Sequence, residues 1–210
     1  MRYFTAIILI IFCVFACSKS STNNSTPPTV SKGLMPLSVG NFWQYNKITY
    51  DSNSVPVDTS MDEIDIIEQV TVSGTTYYQE RWESFPNNVG SFFANADSNT
   101  LVKYDSAIQY TFFKRVQTDS TAVDSWADTV SGRCPGHNYL YAFTDTTVIG
   151  GFSCLRNVVY VNDCTGSNFE QWVYYLHPGL GLVRIQHYLA KSDHSFYLQF
   201  SEDLGTHHVN

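Results

Sequence analysis

"NYLYAFTDTTVIGGFSCLRNVVYVND", residues 138–163, decides the fold. Two runs rich in Tyr, Phe, Thr and Val face each other across Gly150-Gly151. Branched and aromatic side chains suit a pleated, half-buried surface, and a glycine pair suits the tight turn between two such runs. The stretch therefore reads as an antiparallel hairpin with Thr147 opposite Cys154.

The same pattern repeats outward along the chain. "FWQYNKITY" (42–50) precedes an Asp-Ser-Asn-Ser turn region. "IDIIEQVTV" (64–72) meets "TTYYQERWESF" (75–85) across Ser73-Gly74. "TLVKY" (100–104) meets "IQYTFFKRV" (108–116) across Asp105-Ser106-Ala107. "FEQWVYYL" (169–176) turns at His177-Pro178-Gly179 into "LVRIQHYLA" (182–190), and Lys191-Ser192-Asp193-His194 leads into "SFYLQFSEDL" (195–204). Proline followed by glycine suits a type II turn. No segment repeats apolar residues at helical spacing over a dozen positions. About ten strands on short links predict an all-β domain over 34–204. Its expected form is a single antiparallel meander making a curved sheet, open barrel or sandwich, with a C-terminal tail at 205–210. The aromatic content of 15% points the same way.

The N-terminus is of another kind. "YFTAIILIIFCVFA" (3–16) carries no charge and is too short for the ~20 residues of a membrane-spanning helix. With Arg2 ahead and small Ala16 at its end, residues 1–16 read as a signal peptide. "VFAC" (14–17) resembles the lipobox of bacterial lipoproteins, which implies acylation of Cys17. It departs from the usual form in Val14 and in bulky Phe15. An ordinary signal peptide cut near Ala16 is the alternative. Residues 17–33 hold one sizeable apolar side chain, Val30, so a lipidated cysteine and a flexible tether are expected there. Ser18 is not the aspartate that retains many lipoproteins in the inner membrane. That resemblance implies an outer-membrane lipoprotein facing the periplasm.

Without the signal peptide, 11 basic residues stand against 19 acidic ones. Nucleic acid and anionic lipid both need basic clusters, so neither is an expected partner. Attachment to the membrane is expected through the N-terminal lipid alone.

Three segments, "MPLSVGNFWQY" (35–45), "VIGGFSCLRNVVY" (148–160) and "YYLHPGLGLVRI" (174–185), resemble in order the landmarks of a loosely defined group of bacterial envelope lipoproteins. Those landmarks are Pro-Leu-x-x-Gly-Asn-x-Trp, Gly-x-Phe and Pro-Gly-x-Gly-Leu-Val. The resemblance implies a β-rich fold in the envelope and carries no catalytic residues. Gly151 and His177 depart from what relatives would hold.

No nucleophile elbow, zinc helix or phosphate loop is present, so an enzyme is not expected, and neither is a cofactor. Glu80 and Glu83 read as solvated charges on opposite strand faces. His187, His194, His207 and His208 read as surface histidines without metal-ligand spacing. Aromatic density in "YYQERW", "YTFF" and "QWVYYL" suggests a non-catalytic module for an apolar or carbohydrate ligand. Its walls would include Trp82, Tyr110, Trp172 and Tyr174, large residues among polar neighbours. The alternative is a structural or assembly partner of an envelope protein, with the aromatics as core or interface.

With Cys13 removed and Cys17 acylated, Cys134, Cys154 and Cys164 remain. Cys154 and Cys164 end one strand about 33 Å apart, beyond the ~7 Å a disulfide spans. The hairpin register sets residue 134 opposite residue 167, near Cys164. A Cys134–Cys164 bridge is therefore expected, worth about 3–4 kcal/mol in the chain-entropy model, with Cys154 a reduced, buried thiol. Non-reducing peptide mapping should recover the 134–164 linkage. A 134–154 linkage would refute this assignment.

Overall fold

A computed structural model of the chain describes residues 33–83, 91–105, 108–119, 122–128, 136–162 and 168–210. Twelve strands and no helix form among them. In chain order they are β1 (Phe42–Tyr50), β2 (Pro56–Val72), β3 (Thr75–Trp82), β4 (Phe92–Asn95), β5 (Thr100–Asp105) and β6 (Ile108–Lys114). β7 (Asp124–Asp128), β8 (Gly136–Ile149), β9 (Phe152–Asn162), β10 (Asn168–His177), β11 (Gly181–Ala190) and β12 (Phe196–His208) complete the set. All twelve lie in one sheet in the order β6-β5-β4-β3-β2-β1-β12-β11-β10-β9-β8-β7. Every neighbour pair is antiparallel and consecutive in sequence, except β1 with β12. The single meander expected from the sequence is thus a nearly closed barrel.

The central hairpin turns as expected. Gly150 and Gly151 take φ of 57° and 89°, and Thr147 faces Cys154, which is a free, buried thiol. Beyond a bulge between Ala142 and Thr146 the register slips by two residues, so Ala142 faces Asn157. The pairing expected for the far half of this hairpin is corrected accordingly. Cys134 and Cys164 lie outside the described residues, as do Cys17 and the whole signal peptide. β12 runs through His208, paired with Phe42, so residues 205–208 are strand rather than tail.

Three strand segments escaped the pattern reading, each for a physical reason. β4 is four residues long, and β7 ("DSWAD") is mostly polar. In the first half of β2 the residues before Asp62 are exposed and Asp62 itself is buried, so apolar–polar alternation is hidden there.

One end of the barrel is stoppered by the segment before β1. Leu34, Met35 and Leu37 are buried in the main core with Trp43, Tyr45, Ile64, Phe93 and Phe113. The Asn95 side chain holds Met35 in place, accepting from its N–H (3.3 Å) and donating to its carbonyl (2.8 Å). Trp43 Nε1 donates to the Leu180 carbonyl (2.6 Å), and Tyr45 donates its hydroxyl to that of Leu182 (3.1 Å). Gly181, at φ 105°, has room for no side chain, because a Cβ would stand 3.0 Å from the Trp43 ring.

Across the seam between β6 and β7 no strand ladder forms among the described residues. Side chains close it instead. Tyr110 stacks on Trp126 (4.3 Å, 13°), and Thr111 N–H donates to Asp124 Oδ2 (2.6 Å). Asn157, fully buried on β9, reaches over to imitate a peptide group. Its Oδ1 accepts from Lys114 N–H (2.9 Å), and its Nδ2 donates to the Lys114 carbonyl (3.0 Å).

Removing that amide strands two backbone groups. Asn157→Ala should lower unfolding stability by about 1–3 kcal/mol, read as a reduced urea midpoint. A loss below about 0.5 kcal/mol would mean that the seam is held elsewhere.

Candidate functional site

Alternation sends every second side chain of a strand inward, so a barrel offers two surfaces, the lumen and the outside. The aromatics singled out in the sequence all point in. Trp172 and Tyr174 lie nearly parallel on β10 (6.3 Å, 8°), and Phe112 packs on Tyr174 from β6 (4.8 Å). Tyr110 is close enough to Tyr174 to disfavour its phenolate. Burial comes first in pushing the Tyr174 hydroxyl well above the ordinary tyrosine value; Tyr110, Glu80, Glu202 and Glu170 add to it. Trp82, paired with Ile64, packs on the same core without joining that group. Tyr110, Trp172 and Tyr174 therefore converge, but as partly buried wall of the packed interior rather than as an open face.

Two surface expectations are corrected at the same time. His187 is buried, stacked on Trp172 at 4.0 Å, and its Nε2 lies 3.3 Å from Glu170 Oε2. The Trp172 indole donates to that same oxygen (3.3 Å). Glu80 is 1% exposed and ion-paired to Lys103 at 2.6 Å. Both read as surface groups because a polar residue on an amphipathic strand normally faces water; here the lumen is itself partly polar. His194, by contrast, sits exposed in the β11–β12 turn, and His207 and His208 are exposed. No group of three metal-ligating side chains is assembled among the described residues.

The outside holds a different feature. Leu140 and Ala142 are fully buried, so their neighbours Tyr139, Tyr141 and Phe143 face outward in a row along β8. Tyr139 faces Tyr160 of β9 in register, and the rings of Tyr141 and Tyr160 meet edge to face at 5.5 Å and 87°. With Asn162 these four aromatics line an open groove of about 500 Å³. Arg156 closes the far end, its guanidinium 4.1 Å over the Phe143 ring and paired with Asp145 at 3.1 Å. His137 stands beside Tyr139 at 4.9 Å.

Chemically the groove offers flat ring faces edged by three phenol hydroxyls and an amide. That suits a ligand with apolar faces and a polar rim. Its size falls within the range of small-molecule sites. The residues were visible in the sequence as "YLYAF" and "VVY". Only the side each one takes was not, because both faces of this hairpin carry large apolar residues.

No protein-family model matches the chain, and no curated protein does. Two solved structures resemble its shape. One is a presumed lipoprotein from Parabacteroides distasonis ATCC 8503, 13% identical, with TM-score 0.46 over 84% of this chain and 99% of that one. The other is a presumed exported protein with a YmcC-like fold from Bacteroides fragilis NCTC 9343, 11% identical, with TM-score 0.39 over 83% and 98%.

The division between wall and groove has a measurable consequence. Trp172→Ala should cost about 3 kcal/mol by leaving a hole under His187 and Phe200, whereas Tyr141→Ala should cost about 1 kcal/mol or less. Equal losses in chemical denaturation would contradict this assignment of faces.

Proposed function

We propose that this chain is a non-catalytic, lipid-anchored binding module of the bacterial outer membrane, facing the periplasm, with a carbohydrate as its ligand. The observation that carries the reading is the outward aromatic groove of Tyr139, Tyr141, Phe143, Tyr160 and Asn162. The C–H face of a sugar ring stacks on such side chains, while its hydroxyls reach the phenols and the amide. An apolar ligand fits less well. It gains most where water is excluded on all sides, and this groove is open. The lumen offers no better home for an acyl chain, since Asp62, Glu80 and Glu202 are buried there and an apolar chain would leave their charges unsolvated. No cofactor has a role in this reading.

Support for the anchor comes from Cys17 behind "VFA" and from the polar stretch after it. The landmark motifs support envelope residence. They read as architecture, because Trp43 of the first lies against Leu180 and Gly181 of the last.

A second reading, attachment to an envelope protein, is favoured by exposed apolar side chains along the β1–β2 hairpin. Val55 beside the turn and Val57 and Met61 on β2 are 54%, 61% and 63% exposed.

Groove and anchor can be tested separately. The purified mature protein should bind one class of neutral oligosaccharides on a glycan array. Tyr141→Ala and Tyr160→Ala should each weaken that binding at least tenfold (about 1.4 kcal/mol) while the melting temperature holds. Absence of glycan binding, together with crosslinking of the Met61 face to an envelope protein, would replace the first reading with the second. Labelled fatty acid should enter the wild type and be lost in Cys17→Ala. Label that persists there but disappears in Cys13→Ala would place the anchor at Cys13.

A further inference from the structure

β7 is fastened to the barrel more lightly than any other strand. It is five residues long, "DSWAD", and among the described residues its ladder partner is β8 alone, from Asp124↔Leu140 to Asp128↔Gly136. Ser125 and Ala127 are exposed, and Asp124 and Trp126 are half-buried. Every other strand places a side chain in or against one of the three buried hydrophobic clusters; β7, among the described residues, places none. Local stability follows the apolar contacts and protected hydrogen bonds of a segment, so β7 stands at the low end of this fold.

On the β6 side two contacts hold it. Trp126 stacks on Tyr110 (4.3 Å, 13°), and Asp124 Oδ2 accepts the Thr111 N–H (2.6 Å) while its Oδ1 accepts the Ser125 N–H (2.8 Å). On the β8 side the Val123 N–H donates to the Leu140 carbonyl (2.7 Å) beside the ladder. The seam as a whole does not rest on these contacts. Asn157 of β9 holds both backbone groups of Lys114, and Tyr110, Phe112 and Phe113 pack β6 on the main core. β6 therefore keeps its place whether β7 is docked or not.

Behind β7 the wall is partly polar. Trp126 faces Asn138 in register, and Asn138 and Leu140 turn inward, 7% and 0% exposed. Asn138 Oδ1 is buried without a hydrogen-bond partner among the described residues. An acceptor buried in that state costs free energy that contact with water removes. Release of β7 relieves this cost, which lowers the barrier to its leaving.

From this geometry we propose that β7 is a detachable strap. It lifts off the seam while the other eleven strands stay folded, and its release opens a lateral window onto the lumen framed by Tyr110, Asn138 and Leu140. A barrel laddered all round has no edge to lift; the seam leaves one here. Trp126 is the strap's clasp, since it alone joins β7 to β6 through a side chain stacked on a side chain.

Hydrogen exchange of the mature protein, read by mass spectrometry, tests the lift. Protection of residues 122–128 should be at least tenfold lower than that of β1 and β12. Urea well below the unfolding midpoint should barely change it, because lifting one short strand exposes little surface. Trp126→Ala removes the stack and Asp124→Ala the carboxylate. Each should lower protection at least threefold further in 122–128 and 136–140, with β1 and β12 unchanged. Asn138→Cys reports on the window. A small maleimide should modify the thiol at position 138, located by peptide mapping, faster than it modifies buried Cys154. Adding Trp126→Ala should speed that reaction at least threefold. Leu140→Cys takes its place if Asn138→Cys does not fold. Protection of β7 equal to that of β1 and β12, with the same urea dependence, would overturn the strap. So would a loss of protection in Trp126→Ala and Asp124→Ala spread evenly over the barrel. A thiol in the window that reacts no faster than Cys154, with or without Trp126, would overturn the opening onto the lumen.

Discussion

The pairing of β1 with β12 is the interaction on which the rest of the molecule depends. It joins Phe42 to His208 and Thr49 to Phe200, the first strand to the last. Every other ladder links strands that are neighbours in sequence and close through a turn or short loop. Loop-closure entropy grows only slowly with length, yet a contact between chain ends is the last to be repaid. Until it forms, there is an open twelve-stranded ribbon and no inside. Once it forms, Trp43 and Tyr45 have a lumen to fill, and their polar atoms find the carbonyls of Leu180 and Leu182. The N-terminal segment then gains a floor to cap, and Asn210 N–H reaches back to Asn41 Oδ1 (3.0 Å).

Closure on that side is bought by backbone hydrogen bonds; on the opposite side side chains supply it. Among the described residues β6 meets β7 through the Tyr110–Trp126 stack and the Asp124 carboxylate, and meets β9 through the amide of Asn157. Asn157 suits the task because its amide has the donor and acceptor of a peptide unit, mounted on a reach long enough to pass the bulge in β8. The bulge and the seam belong together: the slipped register lies where the barrel wall has to turn towards β6. It also ends the row of outward aromatics at Phe143, where Arg156 and Asp145 close the groove.

Inside, aromatic rings and ion pairs share one volume. Lys47 lies 4.2 Å from the centre of the Phe200 ring and Lys103 lies 5.4 Å from that of Phe93. Each lysine thus gains a ring face as well as a carboxylate, which offsets part of the cost of removing it from water. A barrel filled this way has its interior committed to its own structure. The outer surface carries the groove of Tyr139, Tyr141, Phe143 and Tyr160, held in place by the hairpin beneath them.

Strand identity was legible in the sequence wherever local rules suffice. "FWQYNKITY" is β1 residue for residue, and Pro178-Gly179 turns as its chemistry demands, with Gly179 at φ 82°. Gly150-Gly151, the antiparallel order and the buried thiol of Cys154 were legible for the same reason: turn geometry and the two-residue period involve only near neighbours in the chain. What needed the tertiary structure was which face of a strand is inside when both faces carry large residues, as at Tyr139 to Phe143. The sites of Glu80 and His187 needed it too, since a polar residue goes inward only when partners from other strands, Lys103 and Glu170, arrive to meet it. So did the closure of β1 on β12 and the side-chain seam at Asn157. These pairings join residues on different strands, from 17 apart for Glu170 and His187 to more than a hundred for β1 and β12, and no local pattern encodes the position of such a partner.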